Sequence, residues 1–179
     1  MDYRLATMTD IPAIESLQQT YHVNTIADED RADGFVTTLF GADQFRLLIE
    51  QEGGLSIAVD GDRVVGYAMA ASWEYWSAWP LFQHMIEDLP TMEFLGQPLS
   101  VTNSYQYGPI CIEKSYRGTP VLPNLFEFSR RQMMDRYPIM VTFINQNNPR
   151  SLRAHMDKLK LIILKPFSFN NNEYYALAY

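Results

Sequence analysis

The stretch with the clearest chemical signature is Tyr107-Gly108-Pro109-Ile110-Cys111-Ile112-Glu113-Lys114-Ser115-Tyr116-Arg117-Gly118, followed at once by a helical pattern. An apolar strand that ends at Arg-Gly and feeds a helix start is an anion site in outline. The first-turn amide hydrogens have no helical partners, and the helix dipole adds about half a positive charge there. A diphosphate is the anion such a turn commonly holds. Arg117, Gly118 and Thr119 are expected to be available to it, whereas Pro120 and Pro123 bring no backbone donor. Leu122 puts a branched side chain where backbone and phosphate would approach closely. Cys111, between two isoleucines, reads as a small buried hydrophobe before it reads as a nucleophile.

Other chemistry is sparse. His22, His84 and His155 are scattered, with no helical i, i+4 pair among them, so no metal site is expected. One cysteine forbids a disulfide within the chain and leaves no basis for a cysteine-based zinc or iron–sulfur site.

The elements that must position these residues follow from periodicity. Tyr3 to Ala6 is a strand, and Thr9 or Asp10 caps a helix in which Ile11, Ile14, Leu17 and Tyr21 recur at helical spacing. An acidic loop runs from Asp28 to Asp33, readable as a solvated loop or as an attractor of a cationic amine. A second helical region is predicted over Phe35, Leu39, Phe40, Phe45, Leu48 and Ile49, interrupted at Gly41. Leu55–Val59 and Val64–Ala71 flank Asp60-Gly61-Asp62 as a hairpin, with positive φ expected at both central turn residues. Residues 73–98 break the rhythm with Trp73, Tyr75, Trp76, Trp79 and Phe82, and read as an inserted helical lid over a pocket, a dimer interface or a thickened core. Tyr105–Ile112 is extended, 119–136 helical, Ile139–Ile144 a strand buried on both faces, and 148–158 helical. Leu161–Leu164 and Tyr174–Ala178 close the chain as strands. This order implies an α/β fold with a mixed sheet and helices on both faces.

Composition bounds the class. The 179 residues favour one domain, 1–179, and 47% hydrophobic against 20% charged residues exclude a disordered chain. A net charge of −7 without a dense basic stripe argues against nucleic acid and against anionic membranes as partners. Met1-Asp2-Tyr3-Arg4 does not begin a charged, apolar leader, and no apolar run reaches the ~20 residues of a membrane span, so a soluble, cytoplasmic protein is expected.

The chain resembles the GCN5-related N-acetyltransferase superfamily over essentially its whole length. Tyr3-Arg4-Leu5-Ala6-Thr7-Met8-Thr9-Asp10-Ile11-Pro12-Ala13-Ile14 is similar to that family's opening strand and helix, and Val64-Val65-Gly66-Tyr67-Ala68 to its third strand. Residues 110–118 resemble its fourth strand and acyl-CoA loop, and Asn148-Pro149-Arg150-Ser151-Leu152-Arg153-Ala154-His155 its late helix. The resemblance implies a mixed, mostly antiparallel sheet of about six or seven strands. It implies acetyl-CoA as cosubstrate, bound through backbone of Ile110, Cys111 and Ile112, through Arg117, Gly118, Thr119, Val121 and Leu122, and through Asn148 and Ser151 of the late helix. It implies direct attack by a small-molecule or protein amine, with His155 protonating the leaving thiolate and Glu113 as general base. Beside those roles, His155 also reads as a packed sheet-edge histidine, Glu113 as a solvated turn residue and Asn148 as a helix cap.

The pyrophosphate loop departs from the family pattern Arg/Gln-x-x-Gly-x-Gly/Ala, reading Arg117-Gly118-Thr119-Pro120-Val121-Leu122, and Lys160-Leu161 stands for the usual Gly-Phe after the late helix. A non-catalytic binding or dimerisation module of the same fold is therefore the alternative, with a homodimer as the further partner.

Overall fold

The first strand, β1 (Asp2–Leu5), and first helix, α1 (Ile11–Thr20), are joined by a local ion pair. Both terminal nitrogens of Arg4 donate to the Asp10 carboxylate at 2.8 Å, and the Thr7 N–H and hydroxyl donate to it as well. Ile14, Leu17 and Tyr21 are buried as their spacing predicts. The computed structural model describes residues 1–29 and 34–179. Its chain divides into two compact units, Met1–Ala70 with Gly108–Gln132 and Ala71–Tyr107 with Met133–Tyr179.

In the first unit, β1 pairs antiparallel with β2 (Leu55–Asp60), and β2 with β3 (Arg63–Ala71). Their turn is closed at Asp60↔Arg63, with Gly61 alone at positive φ (+61°), so one of the two central positions expected to be left-handed is not. The next strand in hydrogen-bonded order is β6 (Ser104–Ile112), whose Gly108–Ile112 half lies in this unit. Adjacent residues of β3 point to opposite faces. Tyr67 meets Phe45 of α2 (Ala42–Leu47) edge-on at 6.3 Å, while a Cβ on Gly66 would touch Leu125 of α5 (Val121–Met133) at 3.5 Å. Helices α2 and α5 therefore cover opposite faces.

The helix predicted from Phe35 starts only after Gly41. Before it the chain is pinned extended. Val36 exchanges backbone hydrogen bonds of 2.9 Å with Tyr21 and Val23, and the buried Gln18 amide takes both the Phe40 N–H (3.0 Å) and C=O (2.9 Å). Those external bonds outcompete helix formation. After α2 a π-type turn, Leu48–Glu52, ends at Gly53, and Gly54 lies against β3 so closely that any Cβ would fall on the Ala70 carbonyl oxygen. Residues 30–33 of the acidic loop lie outside the described residues.

In the second unit the order is β6–β7–β9–β8, with β7 (Ile139–Asn145), β9 (Asn172–Ala178) and β8 (Ile162–Phe169). The β6–β7 ladder is parallel through Ser104↔Ile139, Tyr105↔Met140 and Gln106↔Val141; β7–β9 and β9–β8 are antiparallel. Among the described residues seven strands thus follow one order, β1-β2-β3-β6-β7-β9-β8, in a mixed, mostly antiparallel arrangement.

The 73–98 region holds α3 (Trp73–Trp76), α4 (Pro80–Asp88) and a two-stranded ribbon of β4 (Glu93–Phe94) and β5 (Gln97–Pro98). Ser72 caps α3 by accepting the Tyr75 N–H, and Pro80 fits the first turn of α4. Trp76 stacks on Phe82 at 4.6 Å, and Phe82 meets Phe143 of β7 at 5.6 Å. Lys165 of β8 binds Asp88 at 2.7 Å and Thr91 at 3.3 Å.

The Arg4 hydrogen bonds, with those from Thr7, hold the Asp10 carboxyl at about 2, below the ordinary 3.8. Because the folded value is the lower one, the stabilisation is complete above about pH 4 and is lost as pH falls through about 2. Asp10→Asn is expected to cost about 2 kcal/mol at neutral pH. It should also flatten the stability profile in that acid window, which urea unfolding of both proteins from neutral to acid pH measures.

Candidate active site

In the first unit, β6 leaves the sheet at Ile112, and the Glu113 N–H still bonds the Val65 carbonyl at 2.9 Å. A 3-10 turn over Lys114–Tyr116 follows, with the Lys114 N–H donating to the Tyr21 hydroxyl at 2.8 Å. Arg117 turns back on this segment. Its Nε donates to the Ile112 carbonyl at 2.8 Å, its Nη1 to the Gly34 carbonyl at 3.2 Å, and its guanidinium lies 4.5 Å over the Tyr21 ring. Arg117, the arginine expected to meet an anion, is thus bound to backbone and to a ring where the turn brings these partners within its reach.

Gly118 (φ +84°) then reverses the chain in a conformation that favours glycine. The Thr119 hydroxyl donates to the Tyr116 carbonyl at 2.6 Å and accepts the Val121 N–H at 3.3 Å, so it caps α5. The Asn124 N–H bonds the Pro120 carbonyl at 3.1 Å. With Pro120 and Pro123 lacking N–H groups, the amides of Gly118 and Leu122 are the loop's donors without a partner among the described residues. Val121 is buried and Leu122 half-buried.

Ile110 is half-buried, and Ile112 and Cys111 are buried. Burial pushes the Cys111 thiol up to about 12, with Arg117 opposing weakly, so at neutral pH it is a protonated core residue and not a nucleophile. Glu113 accepts from Arg63 at 3.2–3.3 Å and from the Ser115 hydroxyl at 2.8 Å. Arg63 also reaches Tyr116 Oη at 3.3 Å, and Tyr116 donates to Asp60 at 2.6 Å. The candidate base is thus one member of a charge network that fastens the 3-10 turn to the β2–β3 hairpin.

The second unit holds the late-helix residues. Asn148 Oδ1 accepts the Ser151 N–H at 3.3 Å, capping α6 (Pro149–Arg153), as its type predicts. His155, 5% exposed, sits in the π-type turn that continues this helix. Its Nδ1 lies 2.8 Å from the Ser151 carbonyl and 3.5 Å from the Ser151 hydroxyl, and its ring meets Tyr107 edge-on at 6.4 Å. A carbonyl partner assigns the proton to Nδ1 and leaves Nε2 as an acceptor. Burial lowers the His155 pKa, the Ser151 bond opposing. A neutral imidazole whose N–H is committed to backbone is the opposite of the expected proton donor.

The structure therefore gathers residues 110–113 and 117–122 in one unit and Asn148, Ser151 and His155 in the other. Tyr21 and Arg63 were not singled out by sequence reasoning as loop partners; Tyr21 showed only as part of a helical stripe, and nothing local linked either to the loop.

No family model matches the chain, and no curated protein sequence matches it. Solved structures do. A ribosomal-protein-alanine N-acetyltransferase from Brucella melitensis superposes with TM-score 0.63 at 15% identity, over 100% of this chain and 99% of that one. The NatC complex bound to Gag peptide and CoA gives 0.64 at 15%, over 99% and 96%. yncA from Salmonella typhimurium, with its cofactor acetyl-CoA, gives 0.58 at 14%, over 99% and 92%. The chain has the GCN5-related N-acetyltransferase fold.

Two outcomes test this geometry. Arg117→Ala, losing two hydrogen bonds and a ring contact, is expected to lower stability by about 2 kcal/mol in urea unfolding, and Arg117→Lys should not restore it, since an ammonium lacks the planar fork. For His155 the folded pKa lies below the ordinary 6.5, so its neutral form stabilises the fold fully above that pH and the benefit is lost as pH falls below it. His155→Gln is expected to flatten the thermal-midpoint profile between about pH 7 and pH 5.

Proposed function

We propose that this protein is an N-acetyltransferase that transfers an acetyl group from acetyl-CoA to a primary amine. The observation that carries the reading is the β6–turn–α5 segment. It presents the free amides of Gly118 and Leu122 at the start of a 13-residue helix, within a fold shared by proteins solved with CoA and acetyl-CoA. Oriented amides and a helix dipole suit a pyrophosphate. In this reading the backbone of Ile110, Cys111 and Ile112 takes the pantetheine arm, and Gly118, Leu122 and the α5 terminus take the phosphates.

The chemistry is aminolysis of a thioester. The amine nitrogen bonds to the acetyl carbonyl carbon, the C–S bond breaks with its electron pair on sulfur, and the nitrogen's proton ends on the CoA thiol or in solvent. Glu113 as base must first leave Arg63. Neutral His155 acts through Nε2 as a proton acceptor or as a fixed dipole, and not as the donor. The acceptor class is a small-molecule or protein amine. A single buried, free cysteine suits a reducing compartment, and among the described residues no helix is long and apolar enough to cross a membrane.

One second reading has support. Arg117, Glu113 and His155 are all committed to internal partners, which favours a binding or dimerisation module that keeps the fold without catalysis.

Calorimetry with CoA and acetyl-CoA is the direct test, and no heat at millimolar ligand overturns the proposal. Pro120→Gly adds one amide donor to the loop and is expected to tighten CoA binding about tenfold. Unchanged or weaker affinity shows that the loop does not hold the phosphates. Thiol release with any amine above background removes the second reading.

A further inference from the structure

His22 follows α1 and is 6% exposed, with both ring nitrogens engaged. Nδ1 accepts the Asn24 N–H at 3.3 Å, and Nε2 lies 3.2 Å from the Thr37 carbonyl. A backbone N–H on one side and a carbonyl on the other assign the proton to Nε2, so the ring as placed is neutral. Around it the backbone closes a short parallel bridge between His22 and Val36. The Val23 N–H bonds the Val36 carbonyl and the Val36 N–H the Tyr21 carbonyl, each at 2.9 Å. The imidazole thus ties the end of α1 to Val36 and Thr37.

A second proton breaks this arrangement. Nδ1–H would meet the Asn24 N–H, donor against donor, and the cation would be buried. The titratable and charged side chains on its own segment are Tyr21, Asp28 and Glu29, and on α1 Glu15, with the Cys111 thiol at the Leu17 carbonyl. The turn packed on Tyr21 adds Lys114 and Arg117. Among the described residues none of these forms a hydrogen bond, an ion pair or a ring contact with the His22 imidazole, so no carboxylate partner is in place for the added charge. A buried cation without a partner gains hydration by leaving, and the exit of the ring removes its bonds to both segments. Gly34, two residues before Val36, accepts from Arg117 at 3.2 Å, so that contact depends on the same segment.

We propose that His22 is an acid-sensitive clasp: protonation of its ring unties Val36 and Thr37 from the end of α1 and loosens the Gly34 carbonyl from Arg117. The device is conformational and does not rest on the transferase reading.

The test is amide hydrogen exchange followed by NMR on the whole chain at about pH 7.5 and about pH 5, either side of the ordinary imidazole range. Each rate is referred to that of an unstructured amide at the same pH. In the parent, acidification is expected to cost the Val36 amide at least about tenfold more protection than Leu177 of β9, which reports the sheet of the other unit. His22→Gln keeps a side-chain donor for Thr37 and does not titrate, so there the two losses should agree within about twofold. Equal losses at Val36 and Leu177 in the parent, or an undiminished excess at Val36 in His22→Gln, overturns the proposal. A second readout needs no variant to fold. The His22 ring nitrogens of the parent must pass from the Nε2–H form to the doubly protonated form over the same pH interval in which the Asn24 and Gly34 amide resonances move. A ring still neutral at about pH 5, or one that protonates while those resonances stay in place, overturns it too. CoA enters none of these outcomes, so the clasp and the transferase stand or fall separately.

Discussion

A single aromatic residue, Tyr21, holds the candidate loop in shape. Its hydroxyl takes the Lys114 N–H, and its ring underlies Arg117, whose guanidinium reaches the Ile112 and Gly34 carbonyls. The end of α1, the extended segment after residue 34, the exit of β6 and the approach to α5 are thereby made one assembly. Arginine is suited to this because its planar fork can bond carbonyls while its face stacks on a ring. The consequence for binding is direct. An anion at this helix start would be met by neutral, fixed amides and not by a mobile cation, giving weaker individual bonds with little ordering cost.

The other candidate groups are used in the same way. Glu113 is fastened by Arg63 and Ser115, and His155 is fastened through Ser151. In the proposed reaction a site whose titratable side chains are engaged would still favour aminolysis of a thioester, because a thiolate is a weak base among leaving groups and departs without enforced protonation. In that reaction the rate would come from orientation of the two reactants by the backbone, and the arrangement would demand more of positioning than of proton transfer.

Periodicity revealed most of the fold. The strands around Asp60-Gly61-Asp62, the helix after Gly118 and the closing strands all carry local signals that survive folding. The segment before Gly41 did not, because its conformation is set by Gln18, twenty-two residues away, and no local pattern announces such a bond. Site residues were legible by type and not by partner. Arg117 was recognisable as a cation at a helix start, but the ring that captures it lies on α1. His155 was recognisable as a titratable group on the late helix, but its burial and the Ser151 carbonyl decide its protonation, and both arise from packing.

Residues 73–98 show how packing and charge divide this work in the second unit. Lys165 and Asp88 are each part-exposed, so their ion pair contributes at most about 1 kcal/mol. The rings of Trp76, Phe82 and Phe143 remove far more apolar area from water and adopt stacked and edge-on contacts that few alternative packings reproduce. The rings therefore supply the stability, while the ion pair selects where along β8 the end of α4 sits. Trp73 adds a polar constraint through Ser104, on the strand that carries Gln106.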